Sequence, residues 1–406
     1  MMKKLLLVLT LIVLSFALPA CTQAKLSSSG EQDQGNKIIN YKELIRLEPK
    51  SGCYFGIVPD LGKYSVPELS KMLGFTPSSY VTFVNFPMSS EDAGNLDGFV
   101  KRIVPTGGIV LITLEPFGGL EAINDKACKD FAAVCAEYEQ QGIGTMVRFA
   151  HEMNGSWYPW SQKPALYKEK FRMLAEYIHK ATKTTAMLWA PNNGDGYPFT
   201  GGTYGVKPGT ADYTLLDTDG NNKLDENDDM YLPYYPGDDA VDWVGMTVYH
   251  WGRSYPWFEN ELPEPKSFAD HLTGNYNGLN GDHRAVPDFY AMFSNDGVHN
   301  KPMAIPETSA FYNTEQSGAG ANELDIKENW WNQVFNITGD TNQAVDISVH
   351  FPKIMMINWF DIMKNEAEAK GNIVDWRISG TSEIRQAFID YFNSVNNNRS
   401  YFIVGK

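Results

Sequence analysis

Eight short apolar runs punctuate the chain: 53–58 (CYFGIV), 80–86 (YVTFVNF), 108–114 (GIVLITL), 144–150 (GTMVRFA), 185–190 (TAMLWA), 241–249 (VDWVGMTVY), 302–306 (PMAIP) and 353–360 (KIMMINWF). They are nearly continuous rather than alternating, the pattern of strands buried on both faces in a parallel sheet. Helical periodicity fills the spaces between them. Residues 126–141 carry apolar positions at 128, 131, 134/135 and 138. Residues 164–182 open on Pro164, suited to a first helical turn, and set Tyr167, Phe171, Leu174 and Ile178 on one stripe. Eight such units predict an α/β fold: a single (β/α)8 TIM barrel over residues 41–406, with long loops at the C-terminal face. No internal repeat or second domain interrupts the pattern. The connection 191–240 far exceeds the usual ~4–6 residues and reads as a functional or ion-ordered insertion.

The N-terminus follows different rules. Lys3 and Lys4 precede an apolar run, Leu5 to Leu18, which ends in Leu18-Pro19-Ala20-Cys21. A basic start, a short apolar stretch and a small-residue site make residues 1–20 a secretory signal peptide. The run is short for a spanning helix of ~20 residues. Leu-Pro-Ala-Cys resembles the bacterial lipobox, which implies lipidation of Cys21 and an exported chain anchored to the cell envelope, at the outer membrane or cell surface. Residues 21–40 then form the lipidated Cys and a flexible tether, with 22–37 polar and aperiodic. Cys128 and Cys135, seven helical residues apart, lie about 10.5 Å from each other. That exceeds disulfide reach, so both read as small core hydrophobes.

Composition narrows the function. The formal net charge of −15 disfavours binding to phosphate backbones, so no nucleic-acid partner is expected. Hydrophobic residues at 43% support a large core, and the expectation is a monomer. Aromatics at 13%, ten of them Trp, ask for a use beyond core filling.

Barrel active sites are built at the C-terminal ends of strands. The fourth run ends Arg148-Phe149-Ala150-His151-Glu152-Met153-Asn154-Gly155-Ser156-Trp157-Tyr158-Pro159-Trp160, and the seventh ends Pro306-Glu307-Thr308-Ser309-Ala310. Strands four and seven lie across an eight-membered ring, so Glu152 and Glu307 can face each other. Two facing carboxylates suit glycoside hydrolysis, one as proton donor and one as nucleophile. His151-Glu152 is not a zinc-protease motif, because Gly155 stands where the second His is needed. Trp157 and Trp160 follow a glycine in a polar loop, where flat indoles suit stacking on sugar rings.

RFAHEMNGSWYPW followed by a late IPETSA resembles glycoside hydrolase family 26, in the clan of retaining (β/α)8 glycosidases. The resemblance implies Glu152 as acid/base and Glu307 as nucleophile. It implies that His151 contacts the nucleophile or the sugar, that Tyr249, ending the sixth strand, orients the nucleophile, and that Trp157 lies on the leaving-group side. Trp359, ending the eighth strand, would be the hydrophobic platform under the cleaved sugar. On this basis Glu152 needs a raised pKa, and Arg148 and Tyr249 are candidates to hold the charge of Glu307.

The substrate implied is a β-linked plant-type polysaccharide, β-mannan first, cut by an endo-acting hydrolase. Many such mannanases carry a His after the third strand. Here the strand ends Leu114-Glu115-Pro116-Phe117, which leaves room for β-1,3-1,4-glucan or xylan. Glu115 is either a rim residue that meets the sugar or a partner for a nearby Arg or Lys. Asn192, with Asn193, His250 and Trp251, also sits at a strand end within reach of sugar hydroxyls. A non-catalytic surface glycan-binding protein is the competing class, opposed by the presence of both glutamates.

The insertion carries one further signal. Asp217, Asp219, Asn221, Asp225 and Asp228 occupy positions 1, 3, 5, 9 and 12 of an EF-hand-like loop, and Lys223 can offer its carbonyl at position 7. The glycine falls at position 4 rather than 6, and position 12 is Asp rather than Glu. The expectation is a structural Ca²⁺ ordering the insertion, and no cofactor for catalysis.

Overall fold

The computed structural model describes residues 46–252, 257–275, 286–295, 297–397 and 400–405. The signal segment, Cys21 and the tether lie outside these. Among the described residues, eight parallel strands close a ring: β1 (Cys53–Pro59), β2 (Ser79–Asn85), β3 (Ile109–Glu115), β4 (Thr145–Phe149), β5 (Ala186–Trp189), β6 (Trp243–Gly245), β7 (Met303–Thr308) and β8 (Ile354–Asp361). Each pairs with the next, and β8 pairs back onto β1 from Tyr54↔Met356 to Pro59↔Asp361. The architecture is a (β/α)8 TIM barrel. The helices read from periodicity span Asp125–Gln140 and Pro164–Ala181. No helix of the described residues is long and apolar enough to cross a membrane.

Although the strands are apolar throughout, their side chains divide into two shells. Val81, Leu111, Met146, Leu188, Ala304, Met356 and Phe360 pack together inside the ring. Their strand neighbours Tyr80, Val110, Ile112, Val147, Met187, Ile305 and Ile357 pack outward against the helices. This is the period-two rule with both faces covered. The ring is tight enough to exclude a side chain at Gly56 of β1, where a Cβ would stand 1.9 Å from Asn358 Oδ1.

Two expectations about strand ends change. β6 stops at Gly245, so Tyr249 lies in a segment beyond it. That segment keeps ladder-like bonds, Val248 N–H to Glu307 O (3.2 Å) and His250 N–H to Ser309 O (3.0 Å), which preserve its course without regular strand geometry. Trp359 belongs to the outer shell. It is fully buried, with Phe335 and Phe388 at 6.2 and 6.4 Å between ring centroids, so it has no face to offer a sugar. One residue of strand parity separates it from the inward Phe360. Accordingly, Trp359→Phe should lower unfolding free energy by about 1–3 kcal/mol through lost volume and a lost hydrogen bond. Its KM for a glycan should stay within about twofold of wild type, whereas loss of a sugar platform would raise it several-fold. Chemical denaturation and steady-state kinetics decide.

Candidate active site

Arg148 follows Met146 on the inward face of β4 and is completely buried. A guanidinium there needs an anion and further acceptors. Its Nη2 donates to Glu307 Oε1, and its Nε donates to Thr113 Oγ1 at 3.1 Å. The guanidinium also lies 5.7 Å from the Phe83 ring centroid. The second Glu307 oxygen, Oε2, accepts from the Tyr249 hydroxyl at 2.8 Å. Glu307 reaches this position through an irregularity in β7. Ala304 points inward, the register shifts between Ile305 and Thr308, and Thr308 then faces outward to accept from Trp330 Nε1 at 3.0 Å. The shift re-aims Glu307 into the mouth, a common use of such irregularities beside functional sites.

Glu152 is delivered by a strained turn. Ala150 and Glu152 both hold left-handed backbone, with φ of +46° and +54°. For residues bearing a Cβ this costs about 1–2 kcal/mol each. The turn is held by Ala150 N–H to Leu114 O (2.9 Å), Glu152 N–H to Ala190 O (3.0 Å) and Gly155 N–H to Glu152 O (3.0 Å). Trp157 Nε1 donates to Glu152 Oε2 at 3.0 Å. Gly155 makes that contact feasible, since a Cβ there would come within 2.4 Å of the Trp157 ring. Burial first, and then the charge of Glu307, push the Glu152 carboxyl up to about 7, against the opposing pull of Arg148. Glu152 therefore holds its proton to higher pH than an ordinary carboxyl, while Glu307 is bound by a guanidinium and a phenol.

The other predicted residues divide. Trp157 is 37% exposed and borders the mouth. His151 is buried beside Tyr158 and Phe83, with ring centroids at 5.0 and 6.2 Å. Desolvation, and then Arg148, lower its pKa, so it is neutral. Glu115 ends β3 half-buried, and desolvation leads the causes that raise its pKa to about 7. Asn192 is half-buried and held through its backbone, its N–H donating to Asn154 Oδ1 (2.9 Å) and its carbonyl accepting from Asn154 Nδ2 (2.9 Å). Trp160 corrects the expectation of a stacking surface. It is fully buried, stacked on Tyr158 at 4.4 Å, and donates to His151 O at 2.7 Å. It supports the loop from below.

Several site residues escaped the sequence reading. Thr113 was hidden as one polar residue in an apolar run. Trp376 lies beyond β8, where a short hairpin pairs Met363–Asn365 with Ile373–Asp375. Its ring stands 5.2 Å from Tyr249 and 4.8 Å from Trp251. With Phe360, 5.9 Å from Tyr249, it packs against the phenol that holds Glu307.

In the insertion, oxygens of Asp217, Asp219 and Asp228 lie within 4.8 Å of one another. Asp225 stands outside this trio and accepts from Asn227 N–H at 3.0 Å, while Asn221 Nδ2 donates to Asp219 Oδ2 at 2.8 Å. The shorter Asp at position 12 turns to the backbone, accepting from the N–H groups of Thr218 (2.6 Å) and Asp225 (2.9 Å). Asp217 Oδ1 is buried without a hydrogen-bond partner.

Residues 121–232 match the family described as Glycosyl hydrolase family 26. The match covers Glu152 and the acidic loop and stops short of Glu307. Endoglucanase H of Acetivibrio thermocellus is 22% identical over 358 residues, 86% of this chain and 31% of that protein, so the chain spans about a third of its relative. The catalytic domain of the family 26 endo-β-1,4-mannanase of Bacillus sp. JAMB-750 is 15% identical, with 87% of each chain covered and a TM-score of 0.49. An endo-β-1,4-mannanase double mutant of Cellulomonas fimi is 14% identical over 87% of this chain and 72% of that one, with a TM-score of 0.48. The chain is thus a closed barrel with two glutamates at its mouth whose residues 121–232 are similar to Glycosyl hydrolase family 26.

Proposed function

We propose that the chain is a retaining endo-β-glycanase, exported and lipid-anchored through Cys21, that cuts β-mannan-like polysaccharide with Glu152 as acid/base and Glu307 as nucleophile. One observation carries the reading. A carboxyl titrating near 7 shares a buried mouth with a carboxylate fixed by Arg148 and Tyr249. Environments that drive two carboxyls apart assign donor and nucleophile. Glu152 gives its proton to the departing glycosidic oxygen while a Glu307 oxygen bonds the anomeric carbon. Glu152, now ionised, takes a proton from water, and that water's oxygen displaces Glu307. Burial, and then the charge of Glu307, keep the Tyr249 phenol protonated, so it goes on donating to Glu307 until the covalent bond forms.

Mixed-linkage β-glucan or xylan is the second reading. Glu115 at the end of β3 and the similarity to a protein named an endoglucanase favour it. The acidic trio suits Ca²⁺, a hard cation that takes carboxylate and carbonyl oxygens. Asp217, Asp219 and Asp228 would hold it, and the unpartnered Asp217 Oδ1 fits that role. The ion would relieve repulsion among the three carboxylates and stiffen the insertion.

Glu152→Ala and Glu307→Ala should each lower kcat on the preferred polymer by about 10²–10⁴ while melting cooperatively. Wild-type turnover in either sinks the assignment. Because Glu152 must be protonated, kcat/KM should fall as pH rises through about 7, its folded-state value. A profile flat across that range counts against Glu152 as the acid. Product profiles on mannan, mixed-linkage glucan, xylan and β-1,3-glucan choose the substrate, and NMR of the first-formed anomer tests retention. For the acidic loop, chelator should lower Tm and added Ca²⁺ restore it, with Asp217→Asn abolishing the response. A Tm indifferent to both excludes the ion.

A further inference from the structure

In the retaining reaction Glu152 has to change state, a neutral donor first and an ionised base afterwards. Its two carboxyl oxygens are unequally provided for. Oε2 accepts from Trp157 Nε1 at 3.0 Å, and among the described residues no hydrogen bond reaches Oε1. Arg148, the buried cation of the mouth, is committed to Glu307. A second donor for an ionised Glu152 has to come from elsewhere.

The segment after β6 supplies one. Val244, Met246 and Val248 pack in the outer shell, whereas Trp243 packs inside the ring and Tyr249 sends its hydroxyl to Glu307. Thr247 shares the parity of Trp243 and Tyr249, so its side chain faces the mouth. Its backbone is anchored beside that of Glu152. Thr247 N–H donates to Pro191 O at 3.3 Å, and Glu152 N–H donates to Ala190 O at 3.0 Å. The two residues thus hang from consecutive carbonyls at the end of β5. Thr247 is 3% exposed, and its Oγ1 is buried without a hydrogen-bond partner. Leaving a buried hydroxyl unpaired is unfavourable, and the group it stands beside is a carboxyl with one oxygen unserved. Burial and the charge of Glu307 push Glu152 up, while Arg148, the Thr247 hydroxyl and Trp157 pull it back. Hydrogen bonds of this kind stand open in a free enzyme and tighten as charge develops.

We propose that Thr247 holds Glu152 once it is ionised: its hydroxyl donates to Glu152 Oε1, with Trp157 on Oε2, and aims the carboxylate at the water that releases the glycosyl-enzyme. This rests on the reading of the chain as a retaining glycanase. Thr247 keeps its own proton and touches neither sugar nor water, so it is a positioning residue. Glu307, Arg148, Glu115, Tyr158 and Tyr249 also interact electrostatically with Glu152, and His151 stands next to it, neutral. All of these remain when Thr247 alone is changed.

Thr247→Val keeps the shape and removes the hydroxyl, and Thr247→Ser keeps the hydroxyl. The first readout needs no turnover. NMR of isotope-labelled glutamate carboxyls, with the Glu152 resonance identified by its loss in Glu152→Gln, follows the Glu152 titration directly. Its midpoint should rise by about half to one pH unit in Thr247→Val and return in Thr247→Ser, the sign expected when a bond to the charged form is lost. The alkaline limb of kcat/KM on polymer should move up with it. A dinitrophenyl glycoside of the preferred sugar chain loses its aglycone without a proton, so its kcat reports the water step. That kcat should fall about tenfold in Thr247→Val, with kcat/KM within about twofold of wild type, and recover in Thr247→Ser. The Tm of Thr247→Val should equal or exceed that of wild type, because no hydrogen bond made at rest is lost. A merely structural role would lower Tm and leave the midpoint in place. A Glu152 midpoint unmoved in folded Thr247→Val overturns the inference whatever the activity, and so does a wild-type kcat on the dinitrophenyl glycoside. A shifted midpoint in a protein that cleaves no β-glycan overturns instead the reading of function, and the catalytic role of the contact with it.

Discussion

The structure turns on one buried ion pair. Arg148 stands in the middle of a barrel interior otherwise filled by Met146, Leu111, Leu188 and Met356, and its charge is tolerated because Glu307 meets it. Desolvating two such ions costs several kcal/mol apiece, and their attraction offsets this only with good geometry and saturated hydrogen bonds. The surrounding sequence supplies the geometry and a partner for every polar atom of the pair except Arg148 Nη1. Thr113 takes the guanidinium Nε, Tyr249 takes the second carboxylate oxygen, and the irregularity in β7 turns Glu307 inward at the required height. Each of these comes from a different strand or strand end, so the pair also fixes how β3, β4, β7 and the segment after β6 stand relative to one another.

A second consequence is electrostatic. One guanidinium serves three carboxyls, and Glu307 takes it. Burial first of all leaves Glu152 and Glu115 to titrate near 7, above their unfolded range, against the opposing pull of Arg148. Between about 4.5 and 7 the folded chain therefore binds protons that the unfolded chain has released. The stability from these two groups is fully present below about 4.5 and is lost as pH rises through about 7. The same loss would remove the proton that Glu152 donates in the proposed reaction. Conditions that keep the mouth ready to react and conditions that favour the fold thus lie on the same side of the titration. Backbone strain at Ala150 and Glu152 adds to what the packing must offset, as is usual where a reactive group has to be aimed.

Much of this was legible in the sequence because burial leaves a strong trace. Eight apolar runs became eight strands, and the two glutamates at the ends of the fourth and seventh were found by position alone. What failed was parity. A run apolar on both faces carries no alternation to say which residues look inward, so Trp359 was read as facing sugar while it packs outward and Phe360, its neighbour, packs into the barrel interior. The same blindness concealed the shift in β7 that aims Glu307. Trp160 was misread for a related reason. A loop residue after glycine is usually exposed, but this loop folds over a miniature core in which Trp160 stacks on Tyr158 and caps the His151 carbonyl. In the acidic loop, spacing identified the acidic positions but not their partners, since a side chain one carbon shorter at Asp228 turns to the backbone.

Trp376 shows why the remainder could not be read locally. Its ring backs Tyr249, and so bears on the phenol that holds Glu307. Nothing near it in sequence suggests this, because its place is set by contacts from distant elements. Its carbonyl accepts from Trp359 Nε1 (2.9 Å) and Ser309 Oγ (2.5 Å), its indole donates to Glu366 (2.8 Å), and the next residue's carbonyl accepts from the buried Lys327 (2.6 Å). Asp361, at the end of β8, accepts from Tyr64 (2.7 Å) and from both the N–H (2.9 Å) and hydroxyl (2.5 Å) of Ser379. The loop is thus tied to β8, β7 and the helix Glu323–Val334 at once. Trp359, which sequence placed under the sugar, bears on the site only indirectly: its indole N–H helps hold the backbone of the tryptophan that packs against Tyr249.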